Sequence, residues 1–148
     1  MKASQPFAHW QQVRSDLIRA LDLLEDRQLA FVPAPGLWSL GTVAWHIAEA
    51  EVFWFRTVIG GLPEEEVNPG PEPATVAEIK AGLARTHEAT LAYLATLDEA
   101  ALGHELTTSW GESLSLYTIV WHVLEHEIHH RGEIYLMLGL QGMQAPEI

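Results

Sequence analysis

The stretch SLYTIVWHVLEHEIHHRGEIYLMLG, from Ser115 to Gly139, decides how this chain folds. Its apolar residues recur every three or four positions, which predicts one long helix with a buried face. Ser115 is a suitable N-cap, and we expect the helix to end just before Gly139. The stretch also contains His126, Glu127 and His130, whose spacing matches the H-E-x-x-H signature of zinc peptidases. One helix therefore carries both a large part of the fold and a candidate site.

Three further segments have helical periodicity, and the connections between them are rich in proline and glycine. A second helix should follow the N-cap Ser39 and end at Gly60, and a third should follow a capping box made by Thr75 and Glu78. The expected bounds of the first three helices are 7–26, 40–59 and 76–97. Segments 60–74 and 98–114 are expected to be long connections, the second with a short extended piece around LTTSW. The pattern predicts an all-α four-helix bundle in one domain, 1–148.

Composition excludes several classes of protein. A chain of 148 residues without cysteine has neither disulfides nor a thiol nucleophile, so any metal ligands must be imidazoles or oxygens. Eight basic against 20 acidic residues give a net charge of −12, which disfavours nucleic acid and anionic membranes as partners. No secretory leader and no membrane-spanning run is recognisable, so we expect a cytoplasmic protein.

Two histidines of the last helix should point into the bundle. His126 and His130 lie one turn apart and interrupt the apolar stripe of Ile119, Val123 and Met137, all within about 40° of the same direction. His46 occupies the middle of the apolar stripe of the second helix. A shared cation would satisfy one nitrogen of each ring, whereas a buried histidine without a metal needs a partner for both nitrogens. The pattern favours a divalent metal site at the meeting point of these helices.

Other interpretations of these histidines stay open at this stage. A zinc peptidase would use Glu127 as catalytic base, but only Glu133 and Glu147 follow as downstream oxygen ligands, and Glu127 lies about 80° from the direction of the histidine pair. His122 lies one turn before His126 and could form an alternative pair. The other histidines are expected on the surface, in packing contacts or beside the ligands; they are His9, His87, His104 and His129.

The two motifs WSLGTVAWHIAEAE and HVLEHEIHHRGEIYLMLG resemble those of the DinB/YfiT-like superfamily of metal-binding four-helix bundles. The resemblance covers essentially the whole chain. It implies that His46, His126 and His130 are the ligands of a divalent ion, with zinc or nickel expected before iron or manganese. It also implies a metal-dependent hydrolase, or a transferase that joins a low-molecular-weight thiol to a small electrophile, and a homodimer. A non-catalytic metal-stabilised binding or dimerisation module is the alternative from another class.

Three details extend these expectations. Glu133, where relatives often have glutamine, is expected either to orient a ligand imidazole or to be a surface carboxylate. Gly132 inside a helix suggests the close approach of another backbone. Several tryptophans are candidates for lining a small-molecule pocket or for the core, and they are Trp38, Trp45, Trp54, Trp110 and Trp121.

Overall fold

Five helices form most of the computed structural model, which describes residues 2–148. Their bounds are Trp10–Leu21 (α1), Leu40–Val52 (α2), Glu64–Val67 (α3), Val76–Thr96 (α4) and Leu116–Leu140 (α5). Short 3₁₀ turns cover Gln5–Phe7, Asp26–Ala30 and Glu99–Gly103. Two three-residue strands, Glu105–Thr107 (β1) and Ser113–Ser115 (β2), pair antiparallel with Leu106 opposite Leu114. The predicted four-helix bundle, formed by α1, α2, α4 and α5, is confirmed.

The predicted N-caps are present at three helices. The side chains of Ser39, Thr75 and Ser115 accept hydrogen bonds from the backbone N–H groups three residues later, at 3.1, 3.2 and 3.1 Å. Each bond satisfies a donor that the first turn of the helix leaves without a partner. These caps fix where α2, α4 and α5 begin, and therefore where the histidines of α2 and α5 lie along the bundle.

The second predicted helix changes its winding before it ends. α2 is α-helical to Val52 and continues as a π-helix over Phe53–Ile59, where Gly60 N–H bonds back to the carbonyl of Phe55 at 3.2 Å. Gly61, with φ of +68°, then ends the helical run near the predicted position. A π turn contains more residues than an α turn, so different side chains share a face at this end of the helix.

Four expectations about the elements need correction. α1 begins at Trp10, because the segment around Pro6 forms a 3₁₀ turn, and it ends at Leu21, ahead of a second 3₁₀ turn over Asp26–Ala30. The connection after α2 contains the one-turn helix α3, whose three glutamates stabilise its N-terminal end. α5 continues through Gly139, and its stop is Gly142, which has φ of +79°. Nothing lies within 4 Å of a Cβ placed on Gly132, so the expected close approach of a backbone is wrong within this chain.

Close approach occurs instead between α2 and α4. A Cβ on Gly82 of α4 would collide with the six-membered ring of Trp45, which is buried on α2. Glycine at this position lets the indole lie against the backbone of α4. The contact helps to hold α2, which also packs against α5.

The core consists of two apolar clusters, one toward each end of the bundle. On each of the four long helices, a buried polar side chain lies between the residues of one cluster and those of the other. One cluster includes Leu17, Trp45, Leu83 and Ile134, and the other includes Trp10, Phe55, Leu94 and Val120. The polar side chains that separate these clusters along α1, α2, α4 and α5 are Arg14, Glu51, His87 and Glu127, each less than 9% exposed. His46 of α2 lies at the same height along the bundle as His126 and His130 of α5.

Candidate metal centre

The three histidines predicted as ligands converge between α2 and α5. Nε2 of His126 lies 3.1 Å from Nε2 of His46 and 3.1 Å from Nε2 of His130. The ring of His46 is 4.9 Å from that of His126 and 5.0 Å from that of His130, measured between centroids. Facing helices of a bundle commonly supply metal ligands in this way.

Carboxylates lie beside the opposite nitrogens of two of these rings. Glu133 Oε2 is 2.7 Å from Nδ1 of His130, and Glu49 Oε2 is 3.6 Å from Nδ1 of His46. A carboxylate only accepts hydrogen bonds, so Nδ1 of His130 donates to Glu133, and Nε2 of the same ring faces the other two histidines. Such a contact also fixes the orientation of a ligand imidazole. The other oxygen of Glu133 lies 3.2 Å from Nε2 of His129.

The spacing of the nitrogens fits a divalent cation. Two nitrogens that each lie about 2.0–2.1 Å from a tetrahedral zinc ion are about 3.3 Å apart, close to the 3.1 Å observed for both pairs. All three ligand atoms lie within 4.8 Å of one another. One cation would accept the lone pairs of all three rings at once. Hydrogen bonds among three neutral rings would leave at least one of these lone pairs without a donor. The residues present therefore suit a three-imidazole site.

Electrostatics keep two of the rings in the form that binds metal. Burial lowers the pKa of His126 to about 3, and repulsion from the protonated forms of His130 and His46 adds to that effect. Burial and the charge of His130 also lower the pKa of His46, with Glu49 opposing them. Both rings are therefore neutral at pH 7, and only a neutral imidazole can ligate an ion.

Two clefts adjoin the histidine cluster, one beside His46 and His126 and the other beside His130. The histidine cleft, of about 390 Å³, has His46, Glu49, Trp54, His122 and His126 in its wall. The tryptophan cleft, of about 430 Å³, is lined by Leu37, Trp38, His130, Glu133 and Leu136, among others. Both volumes fall in the range of small-molecule sites. A substrate could therefore approach the histidines from either side.

Glu127, the predicted catalytic base, does not join the three histidines. Its carboxylate is 1% exposed and accepts hydrogen bonds from Trp10 Nε1 at 2.6 Å and from Arg14 Nε at 2.7 Å. Arg14 also donates to Glu51 of α2 at 2.8 Å and to the carbonyl of Leu83 of α4 at 2.6 Å. Burial raises the pKa of Glu51, but the contacts of its carboxylate with Arg14 and a histidine lower it to about 2. Glu127 thus belongs to an ion-pair cluster in the core.

The remaining histidines lie outside the cluster of three. His9 and His104 are exposed, as expected. His122 is also exposed; it lines the histidine cleft, and its ring is 4.9 Å from that of Trp54. His87 is buried, with Nδ1 3.0 Å from the carboxylate of Glu51, so it belongs to the core cluster.

The tryptophans divide between the site, the core and the surface. Trp38 and Trp54 line the two clefts, and the ring of Trp38 is 4.9 Å from that of His46. Trp45 is core, Trp121 is exposed, and Trp110 stacks at 6.4 Å on Phe53.

Sequence reasoning missed Glu49 as a member of this site. A signal for it exists, because Glu49 follows His46 by the same three positions that separate His130 and Glu133. Residues three apart on a helix are neighbours, so both H-x-x-E pairs could place a carboxylate beside a ligand histidine. Arg14 gave no comparable signal, because an arginine in an apolar stripe does not reveal its partners.

Comparison with known proteins places the chain in a family. The family model of the DinB superfamily matches residues 9–134. The chain belongs to the DinB superfamily. No curated protein matches the sequence of this DinB-superfamily member. Across residues 2–148, no helix is long and apolar enough to cross a bilayer.

Solved structures share the fold of this DinB-superfamily chain at low sequence identity. A DinB-like protein from Bacillus cereus is 24% identical, with a TM-score of 0.82 over 96% of this chain and 94% of the other. YfiT from Bacillus subtilis, described as a probable metal-dependent hydrolase, is 19% identical, with a TM-score of 0.63 over 93% and 87% of the two chains. The mycothiol-dependent maleylpyruvate isomerase is 18% identical, with a TM-score of 0.52 over 90% of this chain and 61% of the other. At such low identities these comparisons establish a shared fold and nothing more.

Proposed function

We propose that this chain is a metal-dependent enzyme of the DinB superfamily, which holds a divalent ion on His46, His126 and His130 and acts on a small molecule. The observation that carries the proposal is the approach of three imidazole nitrogens from two helices, with His126 Nε2 at 3.1 Å from both partners. Zinc or nickel suits three neutral imidazoles best, and iron or manganese is the second choice.

The reaction follows from what three ligands leave available. A structural zinc site normally closes with a fourth protein ligand, whereas three ligands leave a position for a reactant. An ion held there would act as a Lewis acid and ionise either a water or a thiol at neutral pH. The two reaction classes are therefore hydrolysis and transfer of a low-molecular-weight thiol to an electrophile. Two structures of the same fold support keeping both classes, because YfiT is described as a probable metal-dependent hydrolase and the maleylpyruvate isomerase depends on a thiol, mycothiol.

The chain's own side chains have separable tasks in this proposal. Glu133 holds the proton of His130 Nδ1 and so keeps that ring turned toward the ion. Glu49, Glu64 and His122 line the histidine cleft and are, apart from the proposed ligands, the groups there that could accept a proton from an incoming nucleophile. Glu127 anchors α5 through Arg14 and Trp10 and takes no proton in the reaction. A peptidase mechanism with Glu127 as base is therefore not part of the proposal.

Metal content and turnover test the two halves of the proposal. Elemental analysis after loading with zinc or nickel and dialysis should find the ion in the wild-type protein. His46→Ala, His126→Ala and His130→Ala should each lose it, whereas His104→Ala, an exposed histidine in a connection, should keep it. Retention of the ion by all three ligand variants would refute the site.

Activity then separates an enzyme from a binding module. The metal-loaded protein should hydrolyse small esters or join a thiol to an electrophile, and a chelator should abolish that turnover. Stoichiometric metal without turnover on either substrate class would favour the metal-stabilised binding module instead.

We also propose that the chain forms a homodimer through the outer face of α5. Tyr117, Trp121, Ile128 and Leu136 lie on one side of this helix and are 37–64% exposed. Gly132 shares that face and has open space beside it, which would let a second helix approach. Sedimentation analysis should find a dimer for the wild type and for Leu23→Glu, an exposed leucine elsewhere, but a monomer for Ile128→Glu. A wild-type monomer would refute this assembly.

A further inference from the structure

A third cleft lies away from the three histidines, between α4 and the π-helical end of α2. It measures about 430 Å³, within the range of small-molecule sites. Its apolar wall includes Phe55, Ile59 and Tyr93, and its charged residues are Arg56, Arg85 and Glu51. The carboxylate of Glu51 is 1% exposed and is already paired with Arg14 and His87, so the two arginines are the charged groups open to a ligand. We call it the arginine cleft.

The two arginines are unusual among the basic residues of this chain. Across residues 2–148, neither Arg56 nor Arg85 has a carboxylate within 4.0 Å, although the chain has 20 acidic residues against 8 basic ones. The ion-paired basic residues are Arg14, Arg19, Arg27, Lys80 and Arg131. Lys2 donates to the backbone carbonyl of Ala95. Two cations without an acidic partner thus line the same concavity.

The surroundings of this pair distinguish it from ordinary solvated arginines. Arg56 and Arg85 are both exposed, but they border a recess whose wall is mostly aliphatic and aromatic, whereas an arginine on a convex surface has only water around its guanidinium. Small-molecule sites combine such an apolar wall with a few polar groups that fix the ligand's orientation. Arginine binds carboxylates through paired hydrogen bonds in a fixed geometry.

We propose that the arginine cleft binds a small amphipathic carboxylate, with its acid group on Arg56 and Arg85 and its apolar body against Phe55, Ile59 and Tyr93. The net charge of −12 repels polyanions such as nucleic acid from the molecule as a whole, so the occupant is a single small anion. Val52, Val67 and Pro69 line both this cleft and the histidine cleft, so the two recesses lie on opposite sides of a shared wall. None of the three histidines lines the arginine cleft, so this binding needs no metal.

Titration with decanoate tests the proposal on the full-length protein. Calorimetry should give a dissociation constant for decanoate that rises about tenfold in Arg56→Gln/Arg85→Gln, as expected when two partly exposed charge pairs are lost. The matched control is Arg19→Gln/Arg27→Gln, which makes the same change of charge elsewhere and should alter the constant less than about twofold, because surface charges beyond a Debye length are screened. Arg56→Lys/Arg85→Lys should bind more tightly than the glutamine variant, since it keeps the charge.

Three results would overturn the proposal. One is equal loss of decanoate binding in the control double variant, and another is equally tight binding of decanol, which lacks the acid. The third is a set of amide chemical-shift changes that map to the histidine or tryptophan cleft instead of residues 55–60 and 85–93. Chelator-treated protein and His126→Ala should bind decanoate as the wild type does, so loss of the metal site and loss of this site are separate outcomes.

Discussion

Replacement of Arg14 by methionine is the sharpest test of how the bundle holds its histidines. Arg14 of α1 donates to Glu127 of α5 through two nitrogens, at 2.7 and 2.8 Å, and to Glu51 of α2 at 2.8 Å. Both carboxylates are 1% exposed. The side chain thus fixes α2 against α5 beside the level at which His46 meets His126. Arg14→Met keeps an unbranched apolar stem and removes the charge and the donors of the guanidinium.

The magnitude follows from the burial of the two carboxylates. Removing one partner of a buried ion pair typically costs about 3–5 kcal/mol, because the remaining charge is left without compensation. Here the remaining partners are two carboxylates, so the upper part of that range applies. A domain of this size is typically stable by about 5–15 kcal/mol, so the variant should be severely weakened or unfolded. Arg14→Met/Glu51→Gln/Glu127→Gln should recover part of the loss, since it removes all three charges of this ion-pair cluster.

Urea unfolding followed by tryptophan fluorescence measures these effects, and a chelator competition measures metal affinity in the variants that fold. Arg27→Met is the matched control, because Arg27 pairs with Glu25 at the surface and its removal should leave the free energy of unfolding close to that of the wild type. The reasoning is refuted if Arg14→Met lies within about 1 kcal/mol of the wild type. It is also refuted if the triple variant is no more stable than the single one.

Three further changes have expected outcomes. The pKa of Glu51 is about 2, below its ordinary 4.5, so its contribution to stability is complete above pH 4.5 and is lost as the pH falls toward 2. Between these pH values the free energy of unfolding should fall less steeply in Glu51→Gln than in the wild type, and parallel curves would contradict this. Gly82→Ala should cost about 1–3 kcal/mol by thermal unfolding because of the collision with Trp45, whereas Gly103→Ala, which has open space and lies off the proposed dimer face, should be neutral or stabilising by up to about 1 kcal/mol; equal effects would refute the packing argument. Glu133→Gln should keep the ion but bind it about 10–100-fold more weakly in chelator competition, and unchanged affinity would mean that the carboxylate does not orient its histidine.

Local patterns predicted most of the fold because the signals act over a few residues. Ser39, Thr75 and Ser115 cap their helices as expected, since a cap depends on a side chain and an N–H three positions later. The end of α5 was placed too early because glycine stops a helix only where the backbone turns left-handed, as at Gly142. The switch to a π-helix after Val52 had no recognisable signal in the sequence.

The sequence predicts the candidate ligands, but it predicts only some of the side chains that hold them in place. Periodicity indicated that His46, His126 and His130 point inward from two helices, and the three rings do converge. It could not indicate that Arg14 bridges α2 and α5, because that contact joins residues 37 and 113 positions apart in the chain. Long-range pairing of this kind depends on how the helices pack together.

The peptidase-like string H-E-x-x-H divides between two faces of one helix, and this division explains why it is misleading. Each step along α5 turns the side chain by about 100°, so Glu127 points away from the direction shared by His126 and His130. In this bundle that turn carries Glu127 into the core, onto Arg14 and Trp10, while the histidines face His46. A peptidase needs that glutamate beside the ion, whereas here its burial serves to hold the helix that presents the histidines. The same five residues therefore contribute two members of the histidine cluster and one structural anchor, and the third histidine of the cluster comes from the facing helix.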